Sequence, residues 1–203
     1  MKIICIGRNY HAHIKELGNT VPAEPVFFIK PDTALLIRNR PFYYPDFSQD
    51  IHYEVELVLK ICKVGKNIQP RFASSYYNEI GLGIDFTARD IQDRSKKAGL
   101  PWFTAKGFDQ SAPVSPCLPK DNFPDLKNIT FSLRLNGVQV QQGNTSLMIY
   151  PFDEIISHAS RFVTLRTGDL IFTGTPAGVG PVKIGDLLEG YIGETLMLKC
   201  TIK

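Results

Sequence analysis

Three carboxylates form the first group of residues that could carry chemistry. Glu54 and Glu56 lie two residues apart in HYEVELVLKI, and Asp85 ends the apolar segment EIGLGID. Carboxylates at positions i and i+2 of a strand project from one face, about 7 Å apart, and repel each other unless a cation intervenes. Hard oxygen donors of this kind suit Mg²⁺ or Mn²⁺, whereas zinc would prefer donors such as His52, the one histidine nearby.

Two plainer interpretations of these acids stay open. The alternation over residues 51–61 is also typical of a half-exposed strand, from which His52, Glu54 and Glu56 project into water. Asp85 could simply assist the start of the helix that follows it. The acids therefore indicate a metal site without establishing one.

A histidine and a glutamate form the second group. His13 and Glu16 lie three residues apart on a short predicted helix, so their side chains can touch. A carboxylate that orients an imidazole and favours its charged form makes a general base. The same spacing is also typical of a solvated pair on a surface helix.

A third group comprises basic and amide side chains. Lys106 lies in an apolar stretch after Trp102, where it either extends to the surface or supplies a fixed positive charge beside an anion. Arg89 and Gln92 share one face of a predicted helix at positions i and i+3. Arg89 could equally form a surface ion pair with Asp93.

The loop FTGTPAGVGPV, residues 172–182, is rich in glycine and threonine. It matches neither GxxxxGK[ST] nor GxGxxG, so it gives no reason to expect a nucleotide. Backbone N–H groups exposed by glycine can bind a carboxylate. A tight turn explains the same composition.

The elements that must position these residues are mostly short strands. KIICI, VFFIK, HYEVELVLKI and TLMLKCTI have strand-like composition, and FSLRL and VQVQQ flank Asn136-Gly137, a strong hairpin signal. Residues 51–61 alternate without error, so one continuous strand is expected there. Many strands and few helices predict an α+β, mainly β fold, arranged as a mixed β-sandwich or roll.

Three short helices are predicted. The clearest covers about Ala88 to Ala98, with Thr87 as N-cap, Asp90 in the first turn, and Gly99 and Pro101 after its end. A second covers about Pro151 to Arg161, with proline at its start. The third, about Tyr10 to Leu17, has only two turns and would be marginal alone.

Composition limits the class of protein. With 203 residues, 43% hydrophobic and 21% charged, the chain is typical of a globular protein, and we expect one domain over residues 1–203. No apolar run approaches the about 20 residues that a membrane helix needs. A net charge of +3 favours a small anion over nucleic acid or a membrane as partner.

The compartment can be anticipated from two features. Four cysteines lie far apart, without a CxxC pair, and read as buried free thiols of a reducing compartment. The first residues, MKIICIG, resemble neither a signal peptide nor a transit peptide. We therefore expect a cytoplasmic protein.

Five segments resemble the fumarylacetoacetate hydrolase family in the same order, nearly from end to end. They are GRNYHAHIKELG, EPVFFIKP, IHYEVELVLKI, GIDFTARDIQDRSKKAGLPWFTAKGFDQSAPVSP and FTGTPAGVGPV. The resemblance implies a mixed β-sandwich roll like the family's C-terminal domain, a homodimer, and an Mg²⁺ site, with Mn²⁺ as a substitute. The implied metal ligands are Glu54, Glu56 and Asp85.

The resemblance also assigns roles to other residues. The compact chain and the His13–Glu16 pair are similar to the acylpyruvase and oxaloacetate decarboxylase branch, where the pair lies on a lid, here about residues 8–20. Lys106 joins this pair as a catalytic residue. The implied substrate-binding residues are Arg8, Arg89, Gln92, Gly174 and Thr175.

The implied activity is cleavage of C–C bonds in small 2-oxo acids. The enzyme would hydrolyse acylpyruvates, decarboxylate oxaloacetate, or do both, through a pyruvate enolate that the metal stabilises. One alternative is an isomerase or hydratase of 2-oxo-dienoates from aromatic catabolism, such as 2-hydroxyhepta-2,4-diene-1,7-dioate. A second alternative is a catalytically silent binding module.

Overall fold

Strands dominate the chain, as the alternating segments predict. The computed structural model describes residues 1–203. In chain order the strands are β1 (Ile3–Gly7), β2 (Val26–Lys30), β3 (Leu35–Leu36), β4 (Ile51–Tyr53), β5 (Val55–Ile61), β6 (Tyr77–Ile84), β7 (Thr87–Ala88), β8 (Ala112–Pro113), β9 (Leu118–Pro119), β10 (Thr130–Leu135), β11 (Val138–Asn144), β12 (Leu170–Phe172), β13 (Gly180–Pro181), β14 (Leu187–Ile192) and β15 (Thr195–Thr201).

These strands form four sheets. A six-stranded sheet has the order β2-β1-β12-β5-β6-β9, and a four-stranded sheet has the order β11-β10-β14-β15. The two smaller sheets are β13-β4-β7 and β3-β8. Most neighbours are antiparallel, but β1 pairs with β12, and β3 with β8, in parallel. The mixed, mainly β architecture confirms the predicted fold class.

The helices are short and few. They are α1 (His11–Glu16), α2 (Pro70–Ala73), α3 (Arg89–Ala98), α4 (Phe103–Lys106) and α5 (Phe152–Phe162), with single 3₁₀ turns at Asp32–Ala34, Lys120–Asn122 and Thr145–Leu147. None has the combination of length and hydropathy that a membrane-spanning helix needs.

Helix α3 lies within one residue of its predicted bounds, but the predicted N-cap, Thr87, was wrong. Ala88 is the N-cap, without a side-chain cap, and the Thr87 hydroxyl instead donates to the Asp85 carbonyl at 3.2 Å. Thr87 is unavailable because it lies in β7, paired with His52 of β4. At the other end, Gly99 takes the left-handed conformation, φ 65°, and ends the helix as predicted.

The predicted hairpin is present. Strands β10 and β11 pair antiparallel with Leu135 opposite Val138. Between them, Asn136 and Gly137 both have positive φ, 52° and 83°, as a tight two-residue turn of this kind requires.

Both faces of the six-stranded sheet are buried. Ile4 and Ile6 of β1 point into the main core, whereas Ile3 and Cys5 belong to a smaller apolar cluster on the opposite face. The second face therefore offers a dry wall against which polar side chains can be enclosed.

This burial corrects the prediction for residues 51–61. The odd positions are buried, as the alternation indicates, but the other face is not hydrated, since Glu54 and Glu56 are also buried. The segment is also two strands, because the chain leaves one sheet for another at Glu54. There the Val55 N–H donates to Oε1 of Gln141 at 2.9 Å instead of to a strand neighbour.

Candidate active site

The three predicted acids form one buried cluster. Glu54 occupies the junction between β4 and β5, Glu56 lies in β5, and Asp85 directly follows β6. One carboxylate oxygen from each lies within 4.8 Å of the other two. The Asp85 N–H donates to the Glu54 carbonyl at 2.8 Å, so the backbone itself fixes two of the acids side by side.

Two cationic side chains contact Glu54. Lys106 Nζ lies 2.7 Å from its Oε2, and Arg89 Nη2 lies 2.6 Å from its Oε1. Burial acts to raise the pKa of Glu54, but Lys106 and Arg89 outweigh it and hold the pKa below its usual value. Glu54 is therefore charged inside the protein.

Asp85 also has two cationic neighbours. Lys106 Nζ is 2.8 Å from its Oδ2, and Lys30 Nζ is 2.8 Å from its Oδ1. Lys106, at the end of α4, is buried. The side chain does not extend to the surface. Of the two predicted alternatives, a fixed positive charge inside the protein is therefore the correct one.

Glu56 has no lysine or arginine partner. Its Oε2 accepts the Gly174 N–H at 2.6 Å, and no ion pair reaches it. Burial first, and then the charges of Asp85 and Glu54, raise its pKa well above the usual value. A divalent cation held by the three carboxylates would supply the missing positive charge, and the all-oxygen donor set fits Mg²⁺ or Mn²⁺.

His52 does not belong to this cluster. Its Nε2 lies 2.9 Å from Oδ1 of Asp50, and it is not among the residues that line the pocket. The prediction of one continuous strand over residues 51–61 was wrong, because β4 ends at Tyr53 and β5 begins at Val55.

Arg89 and Gln92 point inward from the first turn of α3. Arg89 Nη1 donates to Oε1 of Gln92 at 2.6 Å, and both side chains are buried. The alternative surface pair with Asp93 is absent, since no ion pair joins Arg89 to that exposed residue. The helix thus directs one guanidinium toward the carboxylate cluster.

His13 and Glu16 lie in contact on α1. The distance from His13 Nδ1 to Glu16 Oε2 is 3.2 Å, and the His13 side chain is 8% exposed against 31% for Glu16. His13 lines the same pocket as the three acids. A solvated surface pair is therefore excluded for the histidine.

The glycine-rich loop binds carboxylates, but they belong to the protein. Gly174 donates its N–H to Glu56, and Gly178 donates its N–H to Oε1 of Glu16 at 2.9 Å. Gly174 has φ 103°, and a Cβ there would lie 2.6 Å from Cβ of Asn9, so glycine is required. Thr175 lines the pocket, and its Oγ1 accepts from Nε2 of Gln141 at 2.9 Å.

Nine of the eleven predicted site residues line the pocket. Glu16 and Gly174 do not line it, but each contacts a residue that does: Glu16 contacts His13, and Gly174 donates its N–H to Glu56. Arg8 is one of the lining residues. Its other predicted lining residues are His13, Glu54, Glu56, Asp85, Arg89, Gln92, Lys106 and Thr175. Lys96 and Trp102 also line it, and the sequence assigned them no role.

Lys30 is a buried site residue that sequence reasoning missed. Its ammonium is fully buried and contacts Asp85, the Phe86 and Ser111 carbonyls at 3.1 Å each, and Oγ of Ser111 at 2.9 Å. A lysine that ends an apolar strand before a proline is the only signal in the sequence. Exposed lysines at strand ends have the same pattern.

Comparison with known proteins gives one consistent family. The family profile described as fumarylacetoacetate (FAA) hydrolase C-terminal matches residues 2–203. Over 201 residues the chain is 43% identical to a mitochondrial oxaloacetate tautomerase of Mus musculus, covering 99% of this chain and 91% of that protein. It is 44% identical over 189 residues to a mitochondrial oxaloacetate decarboxylase of Dictyostelium discoideum, covering 93% and 87%.

A solved structure gives the same result. The fold is similar, with a TM-score of 0.94 and 36% identity, to fumarylpyruvate hydrolase from Pseudomonas aeruginosa in complex with Mn²⁺ and pyruvate. The match covers 100% of this chain and 89% of that one.

Proposed function

Because the chain belongs to the fumarylacetoacetate hydrolase family, we propose that it is a divalent-cation-dependent enzyme of small 2-oxo acids. It hydrolyses acylpyruvates, decarboxylates oxaloacetate, or does both. The observation that carries the proposal is the pocket itself, in which a buried carboxylate cluster, a buried lysine and a His–Glu pair face one space.

Glu54, Glu56 and Asp85 would hold the cation, with Mg²⁺ as the proposed ion and Mn²⁺ as a substitute. When bound, the cation supplies Lewis acidity that stabilises negative charge developing on the 2-oxo oxygen of a substrate. Lys30, Lys106 and Arg89 contact two of these acids, Glu54 and Asp85, and fix their orientation, because each carboxylate oxygen they contact is held at 2.6–2.8 Å.

His13 would move the proton. With Nδ1 held by Glu16, its Nε2 is free to accept a proton from water or substrate. Glu16 is itself fixed by the Gly178 N–H, so the imidazole has a preferred orientation. Hydrolysis of an acylpyruvate needs such a base to activate water, whereas loss of CO₂ from oxaloacetate does not.

Arg89, Gln92 and Thr175 would contact the substrate. All three residues line the pocket, and Arg89 and Gln92 are joined by a hydrogen bond. Lys106 would balance the negative charge of a bound 2-oxo acid, since it is the buried ammonium closest to Glu54 and Asp85 together.

Isomerisation is the second candidate function. The Mus musculus relative is named a tautomerase, and tautomerisation of oxaloacetate moves a proton between carbon and oxygen without breaking a C–C bond. A base such as His13 is sufficient for that step. An isomerase or hydratase of 2-oxo-dienoates would use the same residues, and a silent binding module would have no use for them.

The test is a substrate panel. Acylpyruvates, keto and enol oxaloacetate, and 2-oxo-dienoates are each assayed with Mg²⁺, with Mn²⁺ and with chelator. We expect cation-dependent turnover of the first two classes and its loss with chelator. Turnover of dienoates alone would contradict the proposal and indicate an isomerase or hydratase. If no compound of the panel were turned over, a catalytically silent binding module would be the interpretation that fits.

Assembly and location complete the proposal. The family resemblance supports a homodimer, which light scattering of the purified chain would detect as twice the mass of 22.8 kDa. All four cysteines are free, which supports a reducing compartment such as the cytoplasm. Imaging of a tagged chain in its own cells would test that location.

A further inference from the structure

Two cations in the pocket have no carboxylate partner. The inner cations are matched, since Lys30, Lys106 and Arg89 each form an ion pair with Glu54 or Asp85. Arg8 and Lys96 also line the pocket, yet neither forms an ion pair or a side-chain hydrogen bond. The pocket therefore has two half-buried positive charges in its lining that form no ion pair with the protein.

The backbone holds Arg8 in place at a conformational cost. Its φ is 59°, a left-handed conformation that non-glycine residues rarely adopt. It is enforced by Asn9, which donates to the carbonyls of Tyr150 and Thr173 at 3.0 and 2.8 Å and accepts the Tyr150 N–H at 2.8 Å. The chain thus leaves β1, turns at Arg8 and is fixed again one residue later.

Lys96 approaches the same space from α3. It lies two turns after Arg89 on that helix and is half-buried. Burial, followed by the positive charges of Arg89 and Arg8, lowers the pKa of Lys96, although Asp93 and Glu54 act in the opposite direction. The positive charge of Arg8 therefore acts on Lys96, and an anion bound beside them would offset both charges.

Trp102 brings the two cations together. The Arg8 guanidinium carbon and Lys96 Nζ each lie 5.9 Å from the centroid of its ring. The face of the ring attracts both cations. We call the group formed by Arg8, Lys96 and Trp102 the distal site.

We propose that the distal site binds a second carboxylate of the substrate, so that this enzyme prefers dicarboxylic 2-oxo acids to those that end in a methyl group. The inference rests on the proposed function, because it assumes that the 2-oxo acid end of the substrate faces the carboxylate cluster. A second carboxylate can accept hydrogen bonds from both cations and ends their repulsion.

The experiment compares ligands of equal length by calorimetry on the full chain saturated with Mg²⁺. One pair is 2-oxoglutarate and 2-oxopentanoate; a longer pair is 2-oxoadipate and 2-oxohexanoate. For at least one length we expect the dicarboxylate to bind about tenfold tighter or more. Lys96→Gln should remove most of that preference and leave the methyl-ended ligand unchanged. Arg8→Gln should weaken binding of the dicarboxylate more than binding of the methyl-ended ligand.

Two controls separate charge from damage to the fold. Lys97→Gln removes an exposed charge from the same helix outside the pocket and should keep the full preference. Lys96→Arg keeps the charge and should largely restore it. Equal affinity for both members of both pairs, or an intact preference in the two neutral variants, overturns the distal site alone. Failure of wild-type protein to bind any 2-oxo acid overturns the proposed function with it.

Discussion

Glu56 is the acid whose charge depends most on a bound cation. Glu54 and Asp85 are each held by two cationic side chains, whereas Glu56 accepts only the Gly174 N–H. Its raised pKa reflects this imbalance, since burial and two neighbouring acids disfavour its charged form. Of the three acids, Glu56 should therefore contribute most to the affinity of the cluster for a cation.

Glu56→Gln should therefore weaken binding of Mg²⁺ or Mn²⁺ by at least about tenfold, which is the scale of loss for supporting groups around a metal. The amide keeps the size and the contact with Gly174 but loses the charge. Calorimetric titration of metal-free protein measures the effect, with Glu79→Gln on the surface as control. Wild-type affinity in Glu56→Gln would remove the cluster as the cation site.

Lys30 is the residue on which the integrity of the site depends. Its buried ammonium joins Asp85 to the segment that ends at Ser111. Removal of one partner from a buried ion pair costs about 3–5 kcal/mol, because the remaining charge is buried without compensation.

Lys30→Met should lower the free energy of unfolding by that amount, measured by urea denaturation. Lys60→Met is the matched control, since Lys60 pairs with Glu79 at the surface, where its side chain is 43% exposed. An exposed pair contributes about 1 kcal/mol or less. A loss at Lys30 no greater than at Lys60 would show that the ammonium is not a structural requirement.

At the scale of elements, α1 depends on its surroundings. It has six residues, which is too short to be stable alone in water. Buried Ile14 and the bond from Gly178 to Glu16 hold it over the pocket. This agrees with the expectation of a lid over residues 8–20, which stays a prediction.

Substitutions on α1 should separate two reactions. His13→Ala and Glu16→Gln should depress acylpyruvate hydrolysis by about 10² to 10⁴, the contribution of a positioned general base, and oxaloacetate decarboxylation much less. The measurement is kcat for both substrates at saturating Mg²⁺ and one pH. Equal losses in both reactions would mean that the pair serves closure of the lid, and His13 would lose its role as the base.

The whole molecule assembles the pocket from distant parts of the chain. The acids come from β5 and the ends of β4 and β6, the cations from β2, α3 and α4, and the base from α1. The unfolded chain has no such site, so a cation that binds the native state must stabilise the whole fold.

Saturation with Mg²⁺ should raise Tm. At a free concentration one hundred times Kd the added stability is about 2.7 kcal/mol. Calorimetric scans with Mg²⁺ and with chelator measure the difference, and Glu56→Gln should reduce it at the same concentration. A Tm that is unchanged by Mg²⁺ in the wild-type protein would argue against a native cation site.

The sequence by itself determined those features that depend on residues close together in the chain. The turn at Asn136-Gly137, the extent of α3 and the contact between His13 and Glu16 depend on residues two to ten apart, and all were predicted. The family resemblance added the three acids as a set. Local spacing had indicated them but left a hydrated strand equally open.

Only the tertiary structure decided which groups these side chains meet. The order of the sheets ends β4 at Tyr53, places β5 in a different sheet and encloses Glu54. It also places Lys30 against Asp85, 55 residues further along the chain, and the glycine loop against Glu16, 162 residues from Gly178. Such pairings depend on register and on burial of both sheet faces, which no local pattern encodes.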